Sequence, residues 1–413
     1  MKKAVFTLTL LCTLAALIWG AVFFWKHLRG IRPALTSPSR DIAALVEKAQ
    51  ADAAAVDLPL QLPPGFSISL FAKGLENPRV MVLDSNSTML VSIPSKGRVV
   101  ALPDQDRDGF ADRAVTVIDG LKRPHGLAFR CAPECRLYIA EEDEVNVCSY
   151  DPKNLKAVKL KKIAGLPEGA GHVTRTLLFL PAPHDDRLLI SVGSSCNVCN
   201  EDDWRRSKIL SVPADGGKLT VFASGLRNSV FMTVHPRTGK VWATEMGRDL
   251  LGDDLPPDEI NIIEQGRDYG WPFCFGRNVH DTNFDPSHKR RCSEPESFPS
   301  HINVPAHSAP LGLAFFPEGV WPEEFRNDLL VAYHGSWNRS VPTGYKIVRY
   351  RLDSEGRYLG TEDFITGWLT KEGALGRPAD IMVLPEGRTI FISDDKAGVI
   401  YRLYRKGTKT KHE

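Results

Sequence analysis

Apolar and polar positions alternate along this chain in short runs, and six times the runs form the same phrase. A loop bearing Arg, His or Asn opens it. An apolar strand follows, then a turn rich in Pro, Asp, Gly or Asn, then a second apolar strand. The phrases are NPRVMVLDSNSTMLVS from Asn77, RPHGLAFRCAPECRLYIAE from Arg123, HVTRTLLFLPAPHDDRLLISVG from His172, RNSVFMTVHPRTGKVWATEMG from Arg227, APLGLAFFPEGVWPEEFRNDLLVAYHG from Ala309, and RPADIMVLPEGRTIFISDD from Arg377. Long helical periodicity is absent from this region. A unit of a few short strands cannot bury its apolar face alone, and stacking the units in a ring buries them all. Six starts roughly 45 to 85 residues apart predict an all-β chain folded as a six-bladed β-propeller. The last strand, GVIYRLYR, is expected to pair with the first blade's sheet and close the ring.

The N-terminus breaks the pattern. Lys2 and Lys3 precede an uncharged, mostly apolar run from Ala4 to Trp25, with Lys26 and Arg29 after it. The run is long enough to span a bilayer, and no small-x-small cleavage site closes it. Residues 1–29 therefore read as a signal anchor in preference to a cleaved signal peptide. Either places the body outside the cytoplasm, on the periplasmic or extracellular side. Residues 30–61 read as a stalk, helical over the Ala-rich stretch from Asp41 to Val56. The propeller occupies 62–405, and 406–413 form a disordered basic tail. The longest irregular stretch, Asp268 to His307, is expected over one face of the ring.

Composition narrows the function classes. A formal charge of +2 with no dense basic stripe gives no footprint for nucleic acid. Eight cysteines fit an exported chain. Cys12 lies in the anchor; Cys131 with Cys135, and Cys274 with Cys292, read as loop staples, and Cys196 with Cys199 as a local disulfide. The odd remainder implies a free thiol.

The innermost strand of each blade starts near the axis, so the residues at the phrase starts converge there: Arg79, His125, His172, Arg227 with Asn228, His307 with Ser308, and Arg377 with Asp380. The bland alternative is that single members cap strand ends or pair with buried carboxylates. His172 follows small residues in GAGHV, and an imidazole suits proton abstraction near neutrality. Arg227 and Asn228 suit a carboxylate or carbonyl oxygen. The bend at Gly247 and Arg248 offers backbone carbonyls to Ca²⁺. Tyr333 to Arg339 combines His334, Trp337 and Arg339 in one loop, and Arg377 adds a further cation. Together these make a basic, aromatic-walled pocket for a planar polyanion. Separately, Asp104, Asp106 and Asp108, with Gly109 at the sixth position and Asp112 at the ninth, have the alternation of a Ca²⁺ loop. The bidentate Glu of an EF-hand is replaced by Val115.

The motifs GHVTRTLLF, GLRNSVFMTVHPRTGKVWATEMG, DDLPPDEINII, GRDYGWPFCFG, AYHGSWNRS and GRPADIMVLPEGRTIFISDD, in that order, resemble the pyrroloquinoline quinone (PQQ)-dependent soluble sugar dehydrogenases, with sorbosone and glucose dehydrogenases among them. The resemblance implies PQQ and Ca²⁺ on the propeller axis and a sorbosone-type oxidation of a sugar or related aldehyde, with an electron acceptor as partner. It implies His172 as general base, Arg227 and Asn228 facing the quinone oxygens, and Gly247 and Arg248 holding Ca²⁺. It also implies Arg377, His334, Arg339 and His307 as cofactor contacts. One departure stands out: where the glucose-oxidising members orient the base with a carboxylate, this chain reads Gly193-Ser194-Ser195-Cys196. The loops of a glucose site are not recognisable either. Two other classes compete: a Ca²⁺-dependent, lactonase-like propeller hydrolase, and a non-catalytic binding propeller.

Overall fold

Each repeated phrase forms the two inner strands of one antiparallel four-stranded sheet. The computed structural model describes residues 2–51, 58–131, 134–169 and 171–405, so the expected tail at 406–413 lies outside the described residues. The innermost strands are Met81–Leu83, Leu127–Cys131, Leu177–Phe179, Met232–Val234, Pro310–Phe315 and Pro378–Val383. Each touches the next, and the sixth touches the first, so the ring is closed. Val, Leu and Ile on both faces of each sheet are buried between blades. Each such side chain contributes about 1.5–3 kcal/mol.

Closure differs in detail from the expectation. The final strand Val399–Arg405 belongs to the sixth blade, and the N-terminal strand Phe66–Ala72 pairs with it as that blade's outer strand, Phe66 opposite Arg405 and Leu70 opposite Tyr401. The first and last strands of the propeller are thus fastened in one sheet, which opposes opening of the ring.

Among the described residues three α-helices precede the propeller: α1 (Lys2–Phe23), α2 (Arg32–Leu35) and α3 (Ile42–Ala51). The segment expected as a stalk lies against the propeller. Ile42 and Val46 of α3 are buried in the apolar cluster of the last blades, and the Leu70 N–H donates to Gln50 Oε1. α1 continues into a wider helical turn, Phe24–Leu28, and the stretch Val5–Leu28 is long and apolar enough to cross a membrane.

Three disulfides form at the expected pairs, Cys131–Cys135, Cys196–Cys199 and Cys274–Cys292. Cys148 is the buried free thiol.

Candidate functional site

The loops that begin the innermost strands form the upper face, where the titratable residues gather. His172 is held by its own backbone and ring. Its N–H donates to the Ser194 carbonyl at 2.9 Å. Its Nδ1 lies 3.1 Å from the same oxygen and 3.0 Å from Ser194 Oγ. A carbonyl only accepts, and the Ser194 hydroxyl donates to the Cys196 carbonyl. Nδ1 therefore carries the hydrogen and Nε2 the lone pair. Burial, then the neighbouring Arg227 charge, lower the His172 pKa to about 3, so the ring is neutral at physiological pH. Gly193 makes the close approach: a β-carbon there would stand 2.5 Å from Asn228 Oδ1 and 2.6 Å from His172 Cβ. Gly193 thus brings base and amide side by side.

Arg227 is buried and fully engaged. Nε donates to the Asn197 carbonyl at 2.9 Å. Nη2 reaches Asn197 Oδ1 and Asp249 Oδ2, each at 3.0 Å, and Nη1 the Gly247 carbonyl at 2.9 Å. Asn197 sits between the two half-cystines of Cys196–Cys199, so that disulfide closes the loop against the guanidinium. Asn338 donates to the other oxygen of Asp249 at 2.9 Å. The Asn228 N–H is fixed by Glu245 Oε1 at 2.8 Å.

A second group of basic side chains surrounds Asp395. Arg79 Nη1 lies 2.6 Å from Asp395 Oδ2, and His334 Nε2 2.9 Å from Oδ1. Burial works against Asp395, yet His334 and Arg79 hold it below the usual carboxylate range. Burial lowers His334 to about 4. Arg377 donates to the His334 and Gly335 carbonyls at 3.0 and 2.7 Å and stacks over Tyr345. No carboxylate lies within ion-pair distance of it among the described residues. Arg175 and Arg206 are likewise buried and held by carbonyl oxygens. Buried guanidiniums without carboxylate partners favour an anion, so the upper face fits a planar tricarboxylate such as PQQ. Ca²⁺ fits less simply. The Gly247 oxygen already accepts from Arg227, and two cations on one oxygen repel. A metal seat there requires an anionic ligand that draws the guanidinium away.

Several expected residues are placed elsewhere. Arg339 does not join His334 and Arg377; it donates to the Asp253 and Ala306 carbonyls and pairs with Asp254 at 2.8 Å. His307 Nε2 is bonded to the Gly252 carbonyl at 2.7 Å, which ties down that loop. The Arg248 side chain turns to Asp281 at 2.7 Å. The Asp104 loop joins the third and fourth strands of the first blade, at the opposite face. There the carboxylates of Asp104, Asp106 and Asp108 cluster within 4.8 Å, and one oxygen of Asp104 is buried without a partner. Asp112 stands apart from that group, its Oδ2 accepting from the Gln105 N–H. The Arg402 guanidinium lies against Gly109. Asn197, Asp249 and Asp395 were missed from the sequence, and Ser194 was read only as part of a departure at the base's orienting position; the half-cystines bracketing Asn197 were an available signal.

His125 is fully buried, with Nδ1 3.2 Å from the Arg175 carbonyl. Burial, then Arg79, lower its pKa to about 3, against about 6.5 in an unfolded chain. Between these values the unfolded state binds the extra proton. The stabilisation is therefore present above pH 6.5 and is lost as pH falls. The gap in unfolding free energy between wild type and His125→Gln is expected to shrink by about 2 to 3 kcal/mol from pH 6.5 to 4.5. Urea titrations at the two pH values measure it; a constant gap means that His125 is charged in the fold.

A family model described as TrAA12-like matches residues 60–406. An uncharacterised protein of Borreliella burgdorferi is 30% identical, covering 84% of this chain and 90% of that protein. The pyrroloquinoline quinone-dependent pyranose dehydrogenase of Coprinopsis cinerea is 23% identical over 83% of this chain. This chain spans about half, 54%, of that enzyme's length. The holo PQQ domain of the Coprinopsis cinerea pyranose dehydrogenase superposes with a TM-score of 0.70 at 21% identity, covering 84% of this chain and 97% of that domain. A calcium structure of the Trichoderma reesei family AA12 enzyme also gives 0.70, at 22% identity and the same coverages. At these identities the superpositions establish the six-bladed fold.

Proposed function

We propose that this chain, which belongs to the TrAA12-like family, is a PQQ-dependent oxidoreductase that oxidises a sugar or related aldehyde. The observation that carries the reading is the neutral His172, with Nδ1 spent on Ser194, set beside Asn228 and Arg227 on a face of buried cations. Arg227, Asn228, Arg377 and His334 would hold the cofactor, and the Gly247–Arg248 bend would hold Ca²⁺ once Arg227 turns to the anion. When bound, the quinone supplies a two-electron acceptor and Ca²⁺ a Lewis acid beside it. His172 Nε2 takes the proton of the substrate hydroxyl, and the Ser194 oxygens fix the ring that receives it. Arg227, once turned from Gly247, and Asn228 would offer donors to developing negative charge. An anion against Arg227 offsets the charge that holds His172 low, and so raises its affinity for a proton. Ser194 does this orienting work without a carboxylate, so the base is weaker than a carboxylate-paired one.

The hydrolase alternative needs free axial carboxylates. Glu245 spends its two oxygens on the Asn228 N–H and Ser229 hydroxyl. Asp258 spends its pair on the Gly247 and Ala309 N–H groups, and Asp380 on those of Met81 and Ile381. The reading also takes α1 as a membrane anchor that holds the body outside the cytoplasm.

Titration of the protein with PQQ and Ca²⁺, followed by absorbance as sugars are added, tests the proposal. Saturable PQQ binding and quinone reduction by a sugar are expected, with Ca²⁺ retained at the upper face only when PQQ is present. No PQQ binding at all defeats it.

The Asp104 loop is read as a structural Ca²⁺ site. Ca²⁺ at 100 times its Kd is expected to stabilise the wild type by about 2.7 kcal/mol, and to leave the melting temperature of Asp104→Asn/Asp106→Asn unchanged. Equal rises in both proteins remove the loop as a site.

A further inference from the structure

The apolar helix and the upper face meet at one place. The span Val5–Leu28 is apolar as far as Trp25, closes with Lys26, His27 and Leu28, and its apolar window is unburied. Gly30 then packs on the Arg339 and Ser340 carbonyls so closely that a β-carbon would collide with them. Only Arg29 separates Leu28 from Gly30, two steps of up to about 3.6 Å each, so the end of the span lies within about 7 Å of that contact. Arg339 is the neighbour of Asn338, whose amide meets Asp249 on Arg227. The collar that follows is fastened to the same face. Lys396 donates to the Thr36 carbonyl at 2.8 Å, and it adjoins Asp395, the partner of Arg79 and His334. Thr36 and Pro38 pack on Gly373. Around this junction large apolar side chains stand in the open. Leu35 is 72% exposed and Val341 67%, with Leu255 half exposed beside Asp254. Trp25, on the last turn of the span, is 65% exposed with Arg29 over its ring.

We propose that the upper face is seated on the lipid bilayer, with Leu35, Leu255 and Val341 entering the headgroup layer around the exit of the helix. The inference rests on reading α1 as membrane-spanning. A long flexible linker would let the propeller tumble above the membrane; a two-residue link ending in a packed collar fixes its orientation. Exposed aliphatic groups, with a tryptophan and the Arg29 guanidinium at the helix end, match the chemistry of a membrane–water interface. The mouth of the site then opens onto the membrane. An electron acceptor reaches it from the lipid phase or through the gap between the rim and the headgroups.

The test uses the full chain carrying Cys12→Ala, reconstituted into phosphatidylcholine–phosphatidylglycerol (3:1) vesicles. Single cysteines are introduced as Leu35→Cys and Val341→Cys on the rim, and as Glu355→Cys on a turn of the opposite face. Each is coupled to an environment-sensitive NBD dye. Burial pushes the Cys148 thiol up to about 12, which keeps it unlabelled. The rim dyes are expected to be quenched several-fold more by nitroxide lipids than the Glu355→Cys dye, and less by aqueous iodide. Equal aqueous quenching at all three positions, in protein that floats with the vesicles, overturns the proposal and leaves the anchor intact. Protein that does not float removes the anchor and the proposal together.

Discussion

His172→Ala is expected to lower kcat by about 10²- to 10⁴-fold, the range that a positioned general base supplies. The expectation follows from the ring's arrangement. Nδ1 is committed to Ser194, Nε2 carries the lone pair, and burial with Arg227 keeps the imidazole unprotonated. The His172 ring makes no hydrogen bond that holds Arg227 or Asn228 in place, so PQQ affinity is expected to stay within about threefold. Dye-linked turnover of PQQ- and Ca²⁺-loaded protein, beside a PQQ titration of the same preparation, separates the two effects. Unchanged kcat in the variant takes the base away from His172. A joint loss of binding and turnover makes His172 a structural residue.

Arg227→Met is expected to weaken PQQ binding by about 30- to 3,000-fold. Truncating one partner of a buried, hydrogen-bonded charge pair costs about 2–5 kcal/mol, and each 1.4 kcal/mol is tenfold. The guanidinium is the hub of the upper face, joining Asn197, Asp249 and Gly247. Its removal strips the site of a cation and leaves Asp249 with Asn338 and its own N–H bond to Asn197. Arg227→Lys is expected to recover only part of the loss, because an ammonium has three N–H groups in a tetrahedral array and the guanidinium serves four acceptor oxygens with a planar fork. A second readout separates this role from mere folding. Arg227 is the second cause, after burial, of the low His172 pKa, so the His172 resonances are expected to titrate at higher pH in Arg227→Met. Wild-type PQQ affinity in this variant overturns the assignment.

The sequence by itself determined the fold and the identity of the central side chains. A repeated strand–turn–strand phrase has one economical way to bury its apolar faces, and closing the ring carries the phrase starts to the axis. His172, Arg227, Asn228 and Arg377 were legible for that reason. Only the tertiary structure decided how they are partnered. Arg227 is held by residues 197, 247 and 249, and through Asp249 by 338; Asp395 joins Arg79 and His334 across nearly the whole chain. Arg339, chemically as suitable as Arg377, turns instead to Asp253 and Asp254. The collar that brings the helix to the upper face was unreadable in the same way, because its decisive contact is a glycine against two carbonyls. Apolar burial imposes a period on the sequence, since every strand must present the same face to its neighbours. A hydrogen bond imposes none. Its partners need only meet within about 3 Å, and which residues meet is fixed by the folded backbone.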